Sequence, residues 1–447
     1  MKKGEIYEVE IKDVNFPNKG ITVIDGKTVY IKNAILGQKV KIKIVKNKKD
    51  YAEGIIIETI ERSKNEIDPP CSVFGLCGGC SYQSLPYEDQ IALKSEQVKK
   101  LLDEAGIKYE FLGIEKSPLE FGYRNKMEFT FGDDEGNLAL GLHKKGKFYE
   151  VITTDDCKIV HDDFNKVLDA TLSYFSKLNV PYYSKKTHEG FLRHLVLRRA
   201  FNTNQLLINI VTTSQLIFDF KEYVNMILSL NLEGKIMGIL HTINDSISDV
   251  VQSDKTEILY GVDFITEEIL GLKFKITAFS FFQTNSKGAE RLYSVVRDFA
   301  GDTKDKVIFD LYSGTGTIAQ IMAPVAKKVI GIEIVKEAVD AAKENAKLNN
   351  LDNCEFIAGD VLTKVDELNI KPDIIILDPP RDGIHPKAIN KIINFKAPKL
   401  VYVSCKPTSL ARDLKVFVEN GYKVKKVKCV DMFPHTPHVE TVALIER

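Results

Sequence analysis

The sequence predicts an α/β multidomain protein: a small N-terminal β-barrel, an α+β middle domain and a C-terminal doubly wound parallel sheet. Three observations carry this. Over the first sixty or so residues, short β-rich runs are separated by turn signals such as Pro17-Asn18-Lys19-Gly20 and Asp25-Gly26. From Lys304 onward, near-continuous apolar strands alternate with helical patterns, and each strand runs into a glycine, an acid or a thiol. A chain of 447 residues is also long enough for several domains with at least one large core.

Composition narrows the class. With 44% hydrophobic and 28% charged residues, the chain reads as an ordinary soluble protein. Lys plus Arg and Asp plus Glu both number 62, so net charge argues neither for nor against nucleic acid, and any basic surface must come from local clustering. The start, Met1-Lys2-Lys3-Gly4-Glu5-Ile6-Tyr7-Glu8, lacks an apolar signal region, and no apolar run approaches transmembrane length. The expectation is a cytoplasmic protein with no membrane partner and no obligate protein partner. Seven cysteines in a reducing compartment then read as ligands or nucleophiles rather than disulfides.

Residues 1–62 form the expected barrel, with β runs at 7–14, 21–24, 28–31, 40–45 and 54–60. The fourth run alternates strictly: Val40, Ile42 and Ile44 share one face, and Lys39, Lys41 and Lys43 the other. That lysine face reads equally as a phosphate-binding surface or as a solvated strand face that blocks edge pairing. The organisation resembles a TRAM domain, a small OB-like RNA-binding barrel.

Residues 63–90 carry Cys71, Cys77 and Cys80, with Gly78-Gly79 letting the backbone fold tightly between the last two. Cys157 is the best fourth ligand. Four thiolates suit a structural zinc ion or an iron–sulfur cluster, and the Cys-x-x-Cys spacing leans to zinc. No general base lies nearby in sequence, so the centre is expected to pin the linker to the middle domain.

Residues 91–275 form the expected middle domain. An amphipathic helix at 87–105 ends at Gly106, and Gly132 to Gly141 reads as a hairpin. Two strand patterns carry Arg124, Lys126, Arg193, His194, Arg198 and Arg199, which either meet phosphates or form the polar face of a sheet.

Residues 276–447 form the expected catalytic domain. The strand 307–312 enters Ser313-Gly314-Thr315-Gly316-Thr317, where glycine lets the backbone pass close under a ligand before a helix. The next strand ends in Glu333, about twenty residues on, where a ribose-binding carboxylate sits in nucleotide-binding sheets. A third strand ends in Gly359-Asp360 and a fourth in Asp378-Pro379-Pro380-Arg381. The fifth, Leu400-Val401-Tyr402-Val403, ends in Ser404-Cys405-Lys406-Pro407. Ligands bind outside the carboxyl ends of such strands, so Cys405 is placed to be a nucleophile, with Lys406 beside it favouring the thiolate. The alternative is a small buried hydrophobe. Glu440, after Phe433-Pro434-His435-Thr436-Pro437-His438, is a candidate general base, with substrate or loop-packing roles for His435 and His438.

The glycine loop, Glu333, Asp360 and Asp-Pro-Pro together resemble the class I (Rossmann-like) fold that binds S-adenosylmethionine. With Phe281-Phe282-Gln283-Thr284-Asn285 before the catalytic domain, the whole chain resembles the uracil-5-methyltransferase family of RNA enzymes. The resemblance implies Cys405 as nucleophile and Glu440 as base. It implies a cofactor pocket of Gln283, Tyr312, Glu333, Asp360 and Asp378. It also implies a [4Fe–4S] cluster on Cys71, Cys77, Cys80 and Cys157, in place of zinc. Lys406 departs from the family, in which many members carry Asn. The implied reaction is methylation at C5 of a uridine, with 23S ribosomal RNA as the expected substrate and the T-loop of tRNA as the alternative. A non-catalytic RNA-binding iron–sulfur protein is a reading from a different class, and it leaves Cys405, Glu440 and the cofactor loop unexplained together. An amino-methyltransferase using Asp-Pro-Pro typically has an aromatic where Arg381 stands and needs no cysteine.

Overall fold

The computed structural model describes residues 1–247, 254–368 and 370–447. At the N-terminus, β1 (Ile6–Glu10), β2 (Asp13–Asn15), β3 (Lys19–Ile24), β4 (Lys27–Lys32), β5 (Lys39–Asn47) and β6 (Tyr51–Glu61) form a sheet in the order β1-β5-β6-β4-β3-β2. Alternation along β5 buries Val40, Ile42 and Ile44 against Val29, Ile31 and Ala52. The first expected run divides in two at Ile11 and Lys12. The lysine face is ion-paired: Lys39 meets Glu61 at 2.7 Å, Lys41 meets Glu58 at 2.9 Å and Lys46 meets Glu53 at 2.9 Å. A carboxylate beside each of these lysines favours the solvated-face reading of this strand.

Helix α1 (Tyr87–Glu104) anchors the barrel, because Gln97 Nε2 donates to the Val14 carbonyl at 3.0 Å and Lys100 meets Asp13 at 2.6 Å. Its other face packs Val98 and Leu102 among Leu414 and Phe417 of the C-terminal domain. The strand that follows, β7 (Glu110–Glu115), pairs in parallel with the far edge of the C-terminal sheet. Residues 110–115 fall inside the stretch expected to be middle domain, but their backbone hydrogen bonds join the C-terminal sheet.

The middle sheet comprises β8 (Lys126–Asp134), β9 (Asn137–His143), β10 (Val151–Thr153), β11 (Leu192–Ala200), β12 (Gln205–Thr212), β13 (Lys235–Ile243) and β14 (Lys255–Gly261). Their order is β10-β9-β8-β11-β12-β13-β14, with α2 (Asp162–Lys177) and α3 (Lys221–Leu228) packed on it. Every residue of β11 is buried, including its basic ones. Arg193 donates to the Asn244 carbonyl at 2.7 Å, and Arg198 Nε donates to the Ala278 carbonyl at 2.9 Å. Arg199 meets Asp163 and Asn204. These three residues are 3–4% exposed and bonded to protein oxygens, only Arg199 Nε lacking a partner among the described residues, so they hold the sheet together rather than offer charge to phosphate. His194 is equally buried and contacts Thr130.

After the hairpin β15 (Phe264–Ile269) and β16 (Leu272–Thr277), helix α4 (Ser286–Ala300) leads into the C-terminal sheet. The elements that follow are β17 (Val307–Leu311), α5 (Thr317–Met322), β18 (Lys328–Glu333), α6 (Lys336–Leu348), β19 (Cys354–Ala358), α7 (Val361–Glu367), β20 (Ile374–Leu377), α8 (Pro386–Asn394), β21 (Lys399–Ser404) and α9 (Pro407–Glu419), then β22 (Lys423–Val430) and β23 (Glu440–Glu446). The sheet order is β19-β18-β17-β20-β21-β23-β22-β7, parallel from β19 to β21, with β23 antiparallel between β21 and β22. The order reverses at β17, so a crevice opens at the carboxyl ends of β17 and β20. Among the described residues, no helix is long and apolar enough to cross a membrane.

Candidate active site

A cavity of about 810 Å³ sits at that crevice, closed on the opposite side by residues of the middle sheet and the cysteine segment. Cys405 follows β21 directly, and Glu440 is the first residue of β23. The antiparallel register pairs Ser404 with Thr441. One step along the same ladder lie Cys405 and Glu440, which brings together two residues far apart in sequence. Both line the cavity, with Asp378 from the end of β20. The loop after β20 is locked onto α9: Asp413 accepts from Tyr402 Oη at 2.7 Å and from the Ile384 amide at 2.8 Å.

These groups perturb one another. Burial, then the Asp378 charge, raises the Glu440 carboxyl to about 8, with Arg381 opposing. Burial raises Asp378 to about 7. The Cys405 thiol is pushed up to about 11 by burial, then by Glu440 and Asp378, again opposed by Arg381. The expectation that Lys406 favours the thiolate is corrected here. The Lys406 ammonium lies 3.8 Å from Asp382, and the larger cationic effect on the sulfur comes from Arg381. The site therefore presents a thiol beside two carboxyls that titrate near neutrality, an arrangement suited to covalent addition coupled to proton transfer.

The adjoining end of the cavity is the turn after β17. Tyr312, Gly314 and Gly316 all have positive φ, at 67°, 53° and 72°. A Cβ on Gly316 would fall 2.4 Å from the Phe356 ring, so both conformation and space demand glycine. Gln283 and Tyr312 line the cavity, as expected. Glu333 and Asp360 stand at the same sheet edge but not in the lining. Glu333 accepts the Gly314 and Val335 amides, both at 2.9 Å, and Asp360 caps α7 through the Leu362 amide at 2.9 Å. Each Glu333 oxygen keeps a second lone pair for a ligand hydroxyl.

The sequence reading did not single out Asp310, Tyr293 or, as a site residue, Arg381, yet all three line the cavity. Asp310 is fully buried; one oxygen accepts the Ala319 amide at 2.9 Å, and the other has no partner among the described residues. An acid inside an otherwise apolar strand was the available signal. Arg124 and His438 also face the cavity, whereas His435 has a packing role: Phe121 stacks on it at 4.1 Å and Gln90 holds its ring and amide.

Cys71, Cys77, Cys80 and Cys157 gather closely enough to act on one another electrostatically, and burial raises Cys80 to about 12 and Cys157 to about 11. The Gly79 amide points at the Cys77 sulfur at 3.3 Å, and Gln83 Nε2 at the Cys80 sulfur at 3.2 Å. Among the described residues, no group of three or more Cys, His, Asp or Glu side chains is arranged to hold a metal ion. The segment is joined to the active-site loop, because the amides of Ser81 and Tyr82 both donate to the His435 carbonyl, at 2.9 and 3.0 Å.

The family model described as tRNA (Uracil-5-)-methyltransferase matches residues 86–447, and the TRAM domain model matches residues 1–57. An uncharacterized RNA methyltransferase of Caldanaerobacter subterraneus subsp. tengcongensis is 58% identical over the full length of both chains. One from Clostridium tetani is 56% identical over 100% of this chain and 99% of its own. Among solved structures, the Pyrococcus abyssi tRNA (uracil-54, C5)-methyltransferase in complex with S-adenosyl-L-homocysteine matches with a TM-score of 0.79 and 27% identity, over 98% of this chain and 100% of that one.

Proposed function

This chain belongs to the tRNA (uracil-5-)-methyltransferase family and is an RNA (uracil-5-)-methyltransferase that uses S-adenosylmethionine; on that footing we propose that it methylates C5 of a uridine in 23S ribosomal RNA through a covalent Cys405 adduct. The observation that carries the mechanism is the ladder register that sets the Cys405 thiol beside the Glu440 carboxyl in one cavity with Asp378.

Uracil C5 is too weak a nucleophile to take a methyl group unaided. The Cys405 sulfur gives its proton to solvent and bonds to C6, and the C5–C6 π electrons move into an enolate on the C4 oxygen. S-adenosylmethionine supplies an electrophilic methyl group when bound. The enolate carbon C5 forms a bond to that methyl, and the sulfonium sulfur keeps the electron pair of the broken bond. C5 then carries both the methyl and its original hydrogen. The Glu440 carboxylate removes that proton, the C5=C6 bond re-forms, and the Cys405 thiolate leaves. Arg381 is the cation that favours the thiolate. The target base must leave its stack to enter, so a loop uridine is the natural substrate.

The residues at the sheet edge fit the methyl donor. On this reading Glu333 would take a ribose from just outside the cavity lining, and Gln283, Tyr312, Asp360 and Asp378 would form the rest of the cofactor pocket or its junction with the base. Asp310, with one unpartnered buried oxygen, supports a polar ligand nearby. Cys71, Cys77, Cys80 and Cys157 would hold the [4Fe–4S] cluster: four thiolate donors suit it, and the donors aimed at Cys77 and Cys80 suit anionic sulfur. Its role would be structural, holding the linker against the loop before Glu440.

Barrel and cysteine cluster together favour ribosomal RNA by resemblance. The tRNA T-loop is the second reading, favoured by the full-length likeness to the Pyrococcus abyssi enzyme named for tRNA. The deciding experiment offers labelled S-adenosylmethionine with unmodified ribosomal and transfer RNA together, followed by nucleoside analysis. Labelled 5-methyluridine from the ribosomal fraction is expected. Label only in transfer RNA would move the assignment to the second reading, and none in either would reject both.

A further inference from the structure

We infer that the loop between β9 and β10, with Lys185 and Lys186 facing it, is a stacking platform for an unpaired nucleotide of the RNA flanking the target uridine; this rests on the RNA-methylation reading above. Phe148 and Tyr149 are 58% and 56% exposed, unusual for adjacent large aromatics with no packing need. They stand edge to face, with ring centroids 5.2 Å apart. His143 lies nearly parallel to Phe148, at 5.7 Å and 12°. Lys185 sits over the Phe148 ring at 4.6 Å, and Lys186 over Tyr149 at 5.3 Å. Together they bound a second cavity of about 410 Å³.

An ammonium group already lies over each ring, so an entering unpaired base displaces it from the face it stacks on, and the nucleotide's phosphate takes the charge. The rim also holds acids. Asp133 and Glu150 line the same cavity, and Glu150 takes up the Lys147 charge at 2.8 Å, so base stacking rather than phosphate attraction carries most of the binding. Position identifies the occupant as substrate RNA. His143 belongs to the lining of both this cavity and the active-site cavity, so the two adjoin at that residue. A strand that delivers its uridine to Cys405 then has a neighbouring nucleotide within reach of Phe148 and Tyr149. The loop is held in place from below, where the Lys145 amide donates to the Leu76 carbonyl at 2.7 Å and the Gly78 amide to the His143 carbonyl at 3.2 Å.

The test uses the full chain with Phe148→Leu/Tyr149→Leu, which keeps apolar bulk but removes the rings, and Phe148→Tyr/Tyr149→Phe, which keeps them. The first readout is fluorescence anisotropy with a labelled single-stranded uridine-rich oligoribonucleotide, which needs no catalysis. The leucine pair is expected to weaken binding about tenfold or more, and the ring-retaining pair by less than about threefold. The second readout is methylation of full-length RNA, where the leucine pair is expected to raise KM about tenfold with kcat within about twofold. Equal RNA binding by both pairs and the parent would overturn the platform. If the parent methylates no uridine, the functional reading fails, and the anisotropy comparison still decides the platform.

Discussion

Lys94, on α1, donates to Asp431 at 2.7 Å, and neither side chain exposes any surface to solvent. The same ammonium donates to the Phe433 carbonyl at 3.0 Å, and Asp431 accepts the Phe433 amide at 3.2 Å. One buried ion pair therefore fastens the linker helix to the loop that leads to Glu440. Removing one partner strands the other charge, so Lys94→Ala is expected to cost about 3–5 kcal/mol in urea unfolding. The double variant Lys94→Met/Asp431→Leu is expected to recover most of it. Equal losses in the single and double variants would show that packing, not charge, matters there.

Cys405→Ala is expected to abolish turnover while leaving S-adenosylmethionine affinity within about threefold, because the thiol follows β21 whereas the glycine turn follows β17, with β20 between them. Calorimetric titration of the cofactor and single-turnover methylation measure the two. Retained methylation by this variant refutes the nucleophile assignment.

Glu440 gives a pH prediction with a definite sign. Its carboxyl titrates at about 8 in the folded chain, against 4.5 when unperturbed. Between those values the folded state binds more protons than the unfolded one, so this group's contribution to stability falls as pH rises through that window and levels off above it. Glu440→Gln removes the ionisation. It is expected to raise the Tm relative to the parent at pH 9, by an amount equivalent to about 1–4 kcal/mol, and to change it little at pH 5. The same variant should lose methyl transfer. A Tm difference that is the same at both pH values would contradict the buried-carboxyl account.

Gly316→Ala introduces a side chain at φ 72° and 2.4 Å from the Phe356 ring. Strain and overlap together are expected to cost about 2–4 kcal/mol and to weaken cofactor binding at least tenfold. Adding Phe356→Leu should relieve the overlap with the ring but neither the 2.9 Å approach to Ala342 Cβ nor the backbone strain, so stability returns only in part. Full restoration would mean that the left-handed conformation is not required.

Much of the catalytic domain was legible because its signals are local. Apolar runs ended by Gly-x-Gly, Glu333, Asp-Pro-Pro and Ser-Cys mark strand ends, and strand ends at a switch point are where ligands bind. The alternation in β5 likewise fixed which side of the barrel strand is buried. The basic residues of β11 were ambiguous for the converse reason. Nothing within nine residues says whether both faces of a strand will be covered, and here both are.

The sequence by itself determined that a thiol, several acids and a glycine turn lie at strand ends of a wound sheet, since side-chain period and turn chemistry depend only on neighbours along the chain. Tertiary structure decided their partnership. The antiparallel insertion of β23 beside β21 sets Glu440 next to Cys405, the recruitment of β7 extends the sheet beyond β22, and the Asp-Pro-Pro loop brings Arg381 to act on the thiol more strongly than Lys406 does. Register, burial and charge proximity are properties of segments meeting in space, and electrostatic energy depends on that distance and on the water excluded.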